Sequence, residues 1–457
     1  MSTRFDSEHL SSELATADLK DARRSRRLAQ IAAAAVQRPD ASFPMMAADE
    51  SELEGIYRFL NNPAVSPESI LEPHHRASVE RAQAGGDEIL VVHDTTYFKF
   101  DGDRDGMGRV HVKDQGFWAH VALAVSARRE CFGVVGLRYG TRLGPSRWKG
   151  DRKISNEGED ENRRWLDLPI RAAARFGSSN VVHVMDREAD WFELMEELVQ
   201  RQERFVIRLC HDRLVEGGGR ISDALERAVA VSVEREVQLS ARAEGSNARQ
   251  KARHPARRTR KATLELRGAA VRIRSSTRPG TLDLHVVHVR ELEAPEGCEP
   301  VVWNLITTER LETADDLKRV VDIYRARWMI EEYFKALKTG CAFEKRQLGS
   351  YTALLNALAV FIPVAWTLLR LRDAGRAAAP PPTPTLLSAA HLQLLRVLAE
   401  RRRPLPPEPS AKEITYAIAA LGGHLPRNGD PGWQTLGRGL ERLLEAAKVL
   451  GELGIQM

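Results

Sequence analysis

Four side chains between Tyr324 and Gly340 are spaced so that one face of a helix would carry all of them. The successive steps from Tyr324 to Arg327, Glu331 and Lys338 are three, four and seven residues, which follows the helical repeat of about 3.6 residues per turn. The stripe combines one carboxylate with a phenol, a guanidinium and an ammonium group. These three partners suit an anion such as a phosphate, to which they can donate hydrogen bonds or positive charge.

Two aspartates add to this carboxylate, and each follows an apolar run. Asp94 comes after the run at residues 89–92, and Asp186 comes directly after residues 181–185. Short β-branched runs predict buried strands, and positions just past a strand's end commonly carry functional side chains. The predicted order is a strand with the first aspartate, two strands, a helix, a strand with the second aspartate, a helix and, much later, the glutamate helix.

These residues resemble the signature of the DDE transposases, and specifically of their IS-four family. The helical stripe matches the family pattern Tyr-x2-Arg-x3-Glu-x6-Lys without a gap, and the aspartates lie in HDTTYF and MDREADWFEL. The resemblance covers nearly the whole chain. It implies an α/β fold with a ribonuclease-H-like catalytic core, which is a mixed sheet with flanking helices. It also implies an antiparallel β-rich insertion and helical N-terminal and C-terminal domains.

Three carboxylates suit metal-assisted chemistry on a phosphodiester. Two divalent ions about 3.5 to 4 Å apart can activate the attacking oxygen and stabilise the leaving one. Mg²⁺ prefers oxygen ligands and keeps several waters, so a few carboxylates and the substrate phosphate suffice. We therefore expect Asp94, Asp186 and Glu331 to be the catalytic metal ligands, with Mg²⁺ as cofactor and Mn²⁺ as its substitute. The resemblance implies that Asp94 bridges both ions.

The resemblance also implies the reaction and further contacts with DNA. The steps are nicking at the transposon end, hairpin formation by the freed 3′-hydroxyl, hairpin opening and strand transfer into target DNA. Tyr324, Arg327 and Lys338 would hold phosphates beside the scissile bond. Trp303, 21 residues before Tyr324, would stack on a base flipped out of the duplex, which suits its π-face. The partners are double-stranded DNA, as transposon inverted repeats and target, and a second copy of the chain in a homodimeric synaptic complex.

Basic residues near the N-terminus form the predicted DNA-binding surface. Lys20 to Arg27 holds five basic residues against one aspartate, and the resemblance implies DNA contacts by Arg23, Arg24, Arg27 and, on a second helix, Arg58. Arg208 matches another basic position of the family. The second basic residue expected just after it is replaced by Cys210.

Each of these residues also has a plainer structural interpretation. Asp94 suits a turn and Asp186 suits a helix N-cap. A tryptophan in an apolar strand, such as Trp303, is usually part of the core. A run of arginines is usually a solvated helix face. His93 and His183 are predicted to be packed core residues, and neither is assigned to the metal.

The periodicity of the chain predicts three parts. Residues 1–70 form a helical DNA-binding domain. Residues 71–372 form the catalytic domain, with the β-rich insertion at about 210–308, where apolar and polar residues alternate. Residues 373–457 hold a Pro- and Ala-rich linker and a helical dimerisation domain. Thr313 and Asp316 read as a capping box that opens a helix continuing through the stripe.

The composition describes a soluble globular protein. Hydrophobic residues make up 43% of the 457, charged residues 29%, and the net charge is +5. The four cysteines form no CxxC pair, which predicts neither a disulfide framework nor a zinc ribbon. We expect no apolar run of membrane-spanning length and no signal peptide. The expected location is therefore the bacterial cytoplasm, with the protein on the nucleoid when it is bound to DNA.

Two other functions compete with transposition. A catalytically silent, transposase-derived repressor would be favoured by loss of a carboxylate or of the basic N-terminal run, and neither is lost. A structure-selective nuclease of the ribonuclease-H-like fold would not need Trp303, the full stripe or a dimerising tail.

Overall fold

The computed structural model describes residues 7–110, 114–142, 148–149, 152–153, 162–177, 181–227, 232–239, 260–276, 279–296, 298–376 and 387–453. The predicted linker at 377–386 and most of the basic loop, residues 246–259, lie outside these residues. The chain divides into two compact units. Unit 1 comprises Met1–Asp87, Asp94–Arg164 and Trp328–Met457, and unit 2 comprises Glu88–His93 and Trp165–Arg327.

Five helices open unit 1. They are α1 (Ser7–Ala15), α2 (Ala22–Gln37), α3 (Phe43–Met46), α4 (Glu50–Leu60) and α5 (Pro67–Ala84). Helix α2 begins at Asp21, whose side chain accepts a hydrogen bond from the backbone N–H of Arg23 at 2.9 Å. The helices predicted for the basic run and for the residues around Arg58 are therefore present.

Three strands of unit 1 lie in the order β3-β2-β1. Strand β1 (Ile89–Lys99) contributes its residues from Asp94 onward, and β2 (Gly116–Ser126) pairs antiparallel with β3 (Cys131–Gly140). Both strands match their predicted positions, and β2 is buried along its whole length. A short antiparallel pair, β4 (Trp148–Lys149) and β5 (Arg152–Lys153), follows.

Unit 2 contains a mixed sheet with flanking helices. The first residues of β1 pair in parallel with β6 (Val181–Met185), which pairs in parallel with β7 (Arg204–Arg208). Beyond β7 the sheet is antiparallel, in the order β11, β10, β9 and β8. These strands span Val302–Thr307, Thr281–Glu291, Arg260–Arg274 and Ser232–Leu239, and the helices are α6 (Arg163–Phe176), α7 (Phe192–Gln200) and α8 (Ile221–Arg227).

Antiparallel strands were predicted for residues 210–308, and the described strands there are antiparallel. One detail differs. Alternation predicted two separate strands at residues 262–268 and 270–276, but the single strand β9 includes the first run and continues through the second as far as Arg274. Its register with β10 is continuous from Leu264 to Arg274, because no turn-forming pair interrupts the alternation at Gly268-Ala269.

The glutamate helix is divided, which corrects the predicted continuous helix. Helix α9 (Ala314–Ala326) begins with the predicted capping box, in which Thr313 N donates to Asp316 Oδ2 at 2.8 Å. It ends before Arg327, whose backbone stays in the right-handed helical region at φ −52° and ψ −30°. Helix α10 (Trp328–Lys335) follows, and residues Ala336–Gly340 form a π-helical turn.

Unit 1 closes with four more helices. Helix α11 (Tyr351–Ala374) is followed by α12 (Ala389–Ala399), α13 (Ala411–Leu421) and α14 (Trp433–Glu452). Helix α11 corrects the expectation that no apolar run reaches membrane-spanning length. It is long and apolar enough, but 94% of its most apolar window is buried inside the protein. The residues around it therefore make α11 a core helix.

Candidate active site

Asp94 was predicted to lie just past the end of a strand, but it lies within strand β1. The strand continues to Lys99 because the residues after Asp94, TTYF, are β-branched or aromatic and favour extended backbone. Asp94 is half-buried, and its Oδ1 accepts a hydrogen bond from the backbone N–H of Thr95 at 2.7 Å. The backbone of the strand thus helps to orient the carboxylate.

Asp186 follows β6 directly, as predicted, and it is also an N-cap. Its Oδ1 accepts from the backbone N–H of Glu188 at 2.8 Å and opens the 3₁₀ turn Arg187–Ala189. No residue in the described part of the chain binds its Oδ2. The capping role therefore occupies one oxygen and leaves the other able to bind a ligand.

Lys338 connects the segment that carries Glu331 to strand β1 within unit 1. Its Nζ donates to the backbone oxygen of Tyr97 at 2.5 Å and lies 3.8 Å from Glu344. Glu344 in turn accepts from the backbone N–H of Lys99 at 3.0 Å. Burial lowers the pKa of Lys338, and the charge of Glu344 partly opposes that shift. These contacts hold the glutamate segment beside the strand of Asp94.

The three carboxylates are divided between the units. Asp94 and half-buried Glu331 belong to unit 1, whereas Asp186 belongs to unit 2. Their convergence on shared metal ions stays a prediction. Their chemistry fits it, because carboxylate oxygens are the ligands that Mg²⁺ and Mn²⁺ prefer.

Three predicted DNA-contacting residues lie together in unit 2. The ring centres of Trp303 and Tyr324 are 5.7 Å apart, and the Arg327 guanidinium lies 5.9 Å from the Tyr324 ring centre. Tyr324 is buried, but Trp303 and Arg327 are half-buried. Trp303 is thus not a core tryptophan, and Arg208 lies nearby, since its Nη2 donates to the backbone oxygen of Val302 at 3.4 Å.

A cluster of hydrogen bonds around Asp190 includes Cys210, where the second expected basic residue is replaced. Asp190 Oδ2 accepts from the backbone N–H groups of Cys210 and His211 at 2.7 and 2.9 Å, and its Oδ1 binds Arg213 Nε at 2.6 Å. Ligand atoms of Asp190, Cys210 and His211 lie within 4.8 Å of one another. The carboxylate is already occupied by these donors, so the cluster stabilises the loop after β7 and does not suit a metal.

The N-terminal arginines have local partners that DNA phosphates would have to replace. Arg23 is exposed and contacts Asp21 at 3.1 Å, and Arg58 pairs with Glu54. Arg24 donates to the backbone oxygen of Leu19 at 3.1 Å. The guanidinium of Arg27 lies so close to Gly55 that a Cβ there would come within 2.9 Å of it. The four arginines therefore differ in how freely they can reach a ligand.

Sequence reasoning missed the polar residues that contact Thr95, which follows Asp94 in strand β1. Thr95 Oγ1 lies 3.0 Å from Arg164 Nε and 2.9 Å from His120 Nδ1. Nothing in their local sequence indicates a partnership, because they are brought together by three different elements. His93 and His183 are fully buried, as predicted for core residues, and their rings meet at 3.0 Å between Nε2 and Nδ1.

Comparison with known proteins gives two matching families. The transposase DNA-binding family matches residues 6–65, and the transposase DDE domain family matches residues 155–360. A cryo-EM structure of the piggyBac transposase synaptic complex with hairpin DNA is similar to the chain at 9% identity and a TM-score of 0.38. The match covers 98% of this chain and 80% of that chain.

The matches define a protein with a DNA-binding domain and a DNA-processing domain. More particularly, the chain contains a transposase DNA-binding domain followed by a DDE transposase domain, whose α/β, ribonuclease-H-like fold agrees with the mixed sheet and its flanking helices. DDE domains generally use divalent metal ions. The DDE match includes Asp186 and Glu331, and Asp94 precedes it.

Proposed function

We propose that the protein is a cut-and-paste DNA transposase of the IS-four family. It nicks DNA at the transposon ends, forms and opens a hairpin there, and joins the freed ends to target DNA. The observation that carries this proposal is that a transposase DNA-binding match and a DDE match occur in one chain. The second match includes the whole stripe at residues 324–338.

The three carboxylates would hold the divalent ions. Asp94, Asp186 and Glu331 supply oxygen ligands only, which suits Mg²⁺ and, as its substitute, Mn²⁺. When bound, such ions supply charge stabilisation for both the attacking and the leaving oxygen. The chain's own contribution is to orient the ligands. Thr95 N–H holds the Asp94 carboxylate, and Glu188 N–H holds that of Asp186.

Trp303 and the remaining stripe residues would position the DNA end. Trp303 is half-buried and its ring centre lies 5.7 Å from that of Tyr324, and a flipped base would stack on its ring. Arg327 and Tyr324 would contact phosphates next to that base. Lys338 would exchange the backbone oxygen of Tyr97 for a phosphate oxygen, or act through the strand that it holds.

The terminal regions would bind DNA and a second protomer. Arg23, Arg24, Arg27 and Arg58 would contact the transposon end, with Arg208 contributing from the catalytic domain. The C-terminal helices would form the dimer of the synaptic complex. The protein would act in the cytoplasm, on the nucleoid.

The test uses purified protein, Mg²⁺ and a DNA fragment that carries the gene with its native flanks, resolved on a denaturing gel. Asp186→Ala is compared with Asp315→Ala, which removes a carboxylate exposed on the surface of α9. We expect hairpin-sized ends from the wild-type protein and from Asp315→Ala, but none from Asp186→Ala. If the protein shifts the DNA on a native gel without cutting it, the repressor function is correct instead. Cutting that ignores the end sequence would indicate the nuclease.

A further inference from the structure

The strand that carries Asp94 is held from its other face by buried polar groups. Side chains of successive strand residues lie on opposite faces, so Thr95 lies on the face opposite Asp94. There its hydroxyl meets Arg164 Nε at 3.0 Å and His120 Nδ1 at 2.9 Å. His120 is fully buried and Arg164 is 5% exposed. Arg164 also lies 5.2 Å from the ring centre of Trp118, two residues before His120 on β2.

The direction of the hydrogen bonds follows from the chemistry of the donors. Arg164 Nε can only donate, so the Thr95 oxygen accepts from it. The hydroxyl of Thr95 then has one proton to give, and His120 Nδ1 lies within reach as the acceptor. Burial, together with the charge of Arg164, lowers the pKa of His120 well below its usual value, so its ring is neutral and can accept.

This arrangement is costly as mere packing. A buried guanidinium loses its hydration, and a cation in the first turn of a helix such as α6 opposes the helix dipole. Three apolar side chains of similar size would fill the same space with a smaller desolvation free energy. What the polar trio adds is direction, because hydrogen bonds fix the rotation of the Thr95 side chain whereas apolar contacts would not.

We propose that Arg164, Thr95 and His120 form a positioning relay that fixes the strand at residue 95 and so aims the Asp94 carboxylate at its metal ion. The connection runs through the Thr95 backbone, whose N–H donates to Asp94 Oδ1 at 2.7 Å. The relay rests on the proposed function, because Asp94 is a metal ligand only in that function. The three residues do not touch the reacting atoms, and they act through Asp94.

The test measures Mn²⁺ affinity directly, by electron paramagnetic resonance of the full-length protein bound to an uncleaved end DNA. Thr95→Val removes the hydroxyl at nearly constant shape, Thr95→Ser keeps it, and Asp94→Asn removes the ligand charge. We expect Thr95→Val to bind end DNA normally on a native gel but to need about tenfold more Mn²⁺, the lower end of the loss that changes around a metal ligand typically cause. Thr95→Ser should restore the wild-type affinity.

Two outcomes separate the relay from the function it serves. If Asp94→Asn weakens Mn²⁺ binding and Thr95→Val does not, the relay is wrong and the metal role of Asp94 stands. If neither variant weakens it, the proposed metal site itself is wrong, and the relay with it. Should Thr95→Val fail to fold, the Mn²⁺ affinity of Thr95→Ala decides in its place. Weaker Mn²⁺ binding supports the relay, and unchanged binding overturns it.

Discussion

Protonation of Glu13 should release helix α1 from helix α5 in mild acid. The Glu13 side chain is 7% exposed, and its oxygens lie 2.6 Å from His74 Nδ1 and 2.7 Å from Arg81 Nη1. Burial raises the pKa of this carboxyl, but His74 and Arg81 together outweigh it and lower the pKa to about 2. Because the folded pKa is below the unfolded one, the contact stabilises the fold above about pH 4.5. That stability is lost as the pH falls toward 2.

The size of the effect follows from the two pKa values. The unfolded pKa is 4.5 and the folded pKa is about 2. At pH 3.5, proton binding therefore favours the unfolded over the folded state by a factor of about 11, which is roughly 1.4 kcal/mol of lost stability. Burial lowers the pKa of His74 as well, so His74 protonation acts in the same direction, starting from about pH 6.5. Comparing the wild-type protein with Glu13→Gln at pH 6 and at pH 3.5 therefore isolates the contribution of the carboxylate.

Hydrogen exchange read by mass spectrometry reports this opening locally, without requiring the whole chain to unfold. When the pH is lowered from 6 to 3.5, the opening of peptides from α1 and α5 should increase in both proteins. After correction for the intrinsic exchange rate, this increase should be about tenfold larger in the wild-type protein than in Glu13→Gln. Glu80→Gln, an exposed glutamate on α5, should behave like the wild type. Equal increases in the wild type and Glu13→Gln would refute the assignment of the shift to this contact.

Three further predictions concern DNA. Glu331→Gln keeps the shape of the side chain but not its charge, so this variant should bind end DNA normally and lose cleavage on the denaturing gel. Cleavage near the wild-type level would show that Glu331 is not a metal ligand. Trp303→Ala should lower hairpin yield about 5- to 150-fold, the range that one stacked base is worth, and Trp303→Phe should recover most of it; equal yields from both variants would exclude stacking. Arg58→Gln should reduce the salt dependence of end binding by about one unit of log–log slope, whereas exposed Arg427→Gln should not. An unchanged slope in Arg58→Gln would place Arg58 away from the phosphates.

The features that the sequence predicted correctly depend on residues close together in the chain. The capping box at Thr313 needs only the residue three positions on, and both of its hydrogen bonds form. The strand before Asp186 is a continuous run of apolar, mostly β-branched residues, which all favour a strand. For the same reason Leu317 and Val320, three residues apart on one face of α9, are both buried.

The errors arise where distant residues decide the outcome. Arg164 and His120 are 69 and 25 residues from Thr95 along the chain, and no local pattern relates them. Strand β1 was expected to end before Asp94, because its apolar run covers only residues 89–92. A turn at Asp94 was the competing interpretation. Pairing within the sheet overrides that preference, and β1 continues to Lys99.

Lys338 is a predicted site residue whose geometry differs from the one that its spacing predicted. Its seven-residue spacing from Glu331 predicts one α-helical stripe, but Lys338 lies in the π-helical turn after α10. Hydrogen bonds in a π-helix span one more residue than in an α-helix, so each residue turns less about the axis and Lys338 falls short of the predicted line. Its position is set instead by the backbone oxygen of Tyr97, 241 residues earlier. The spacing therefore selects Lys338 only as a candidate, and the tertiary contact with β1 determines where its ammonium group lies.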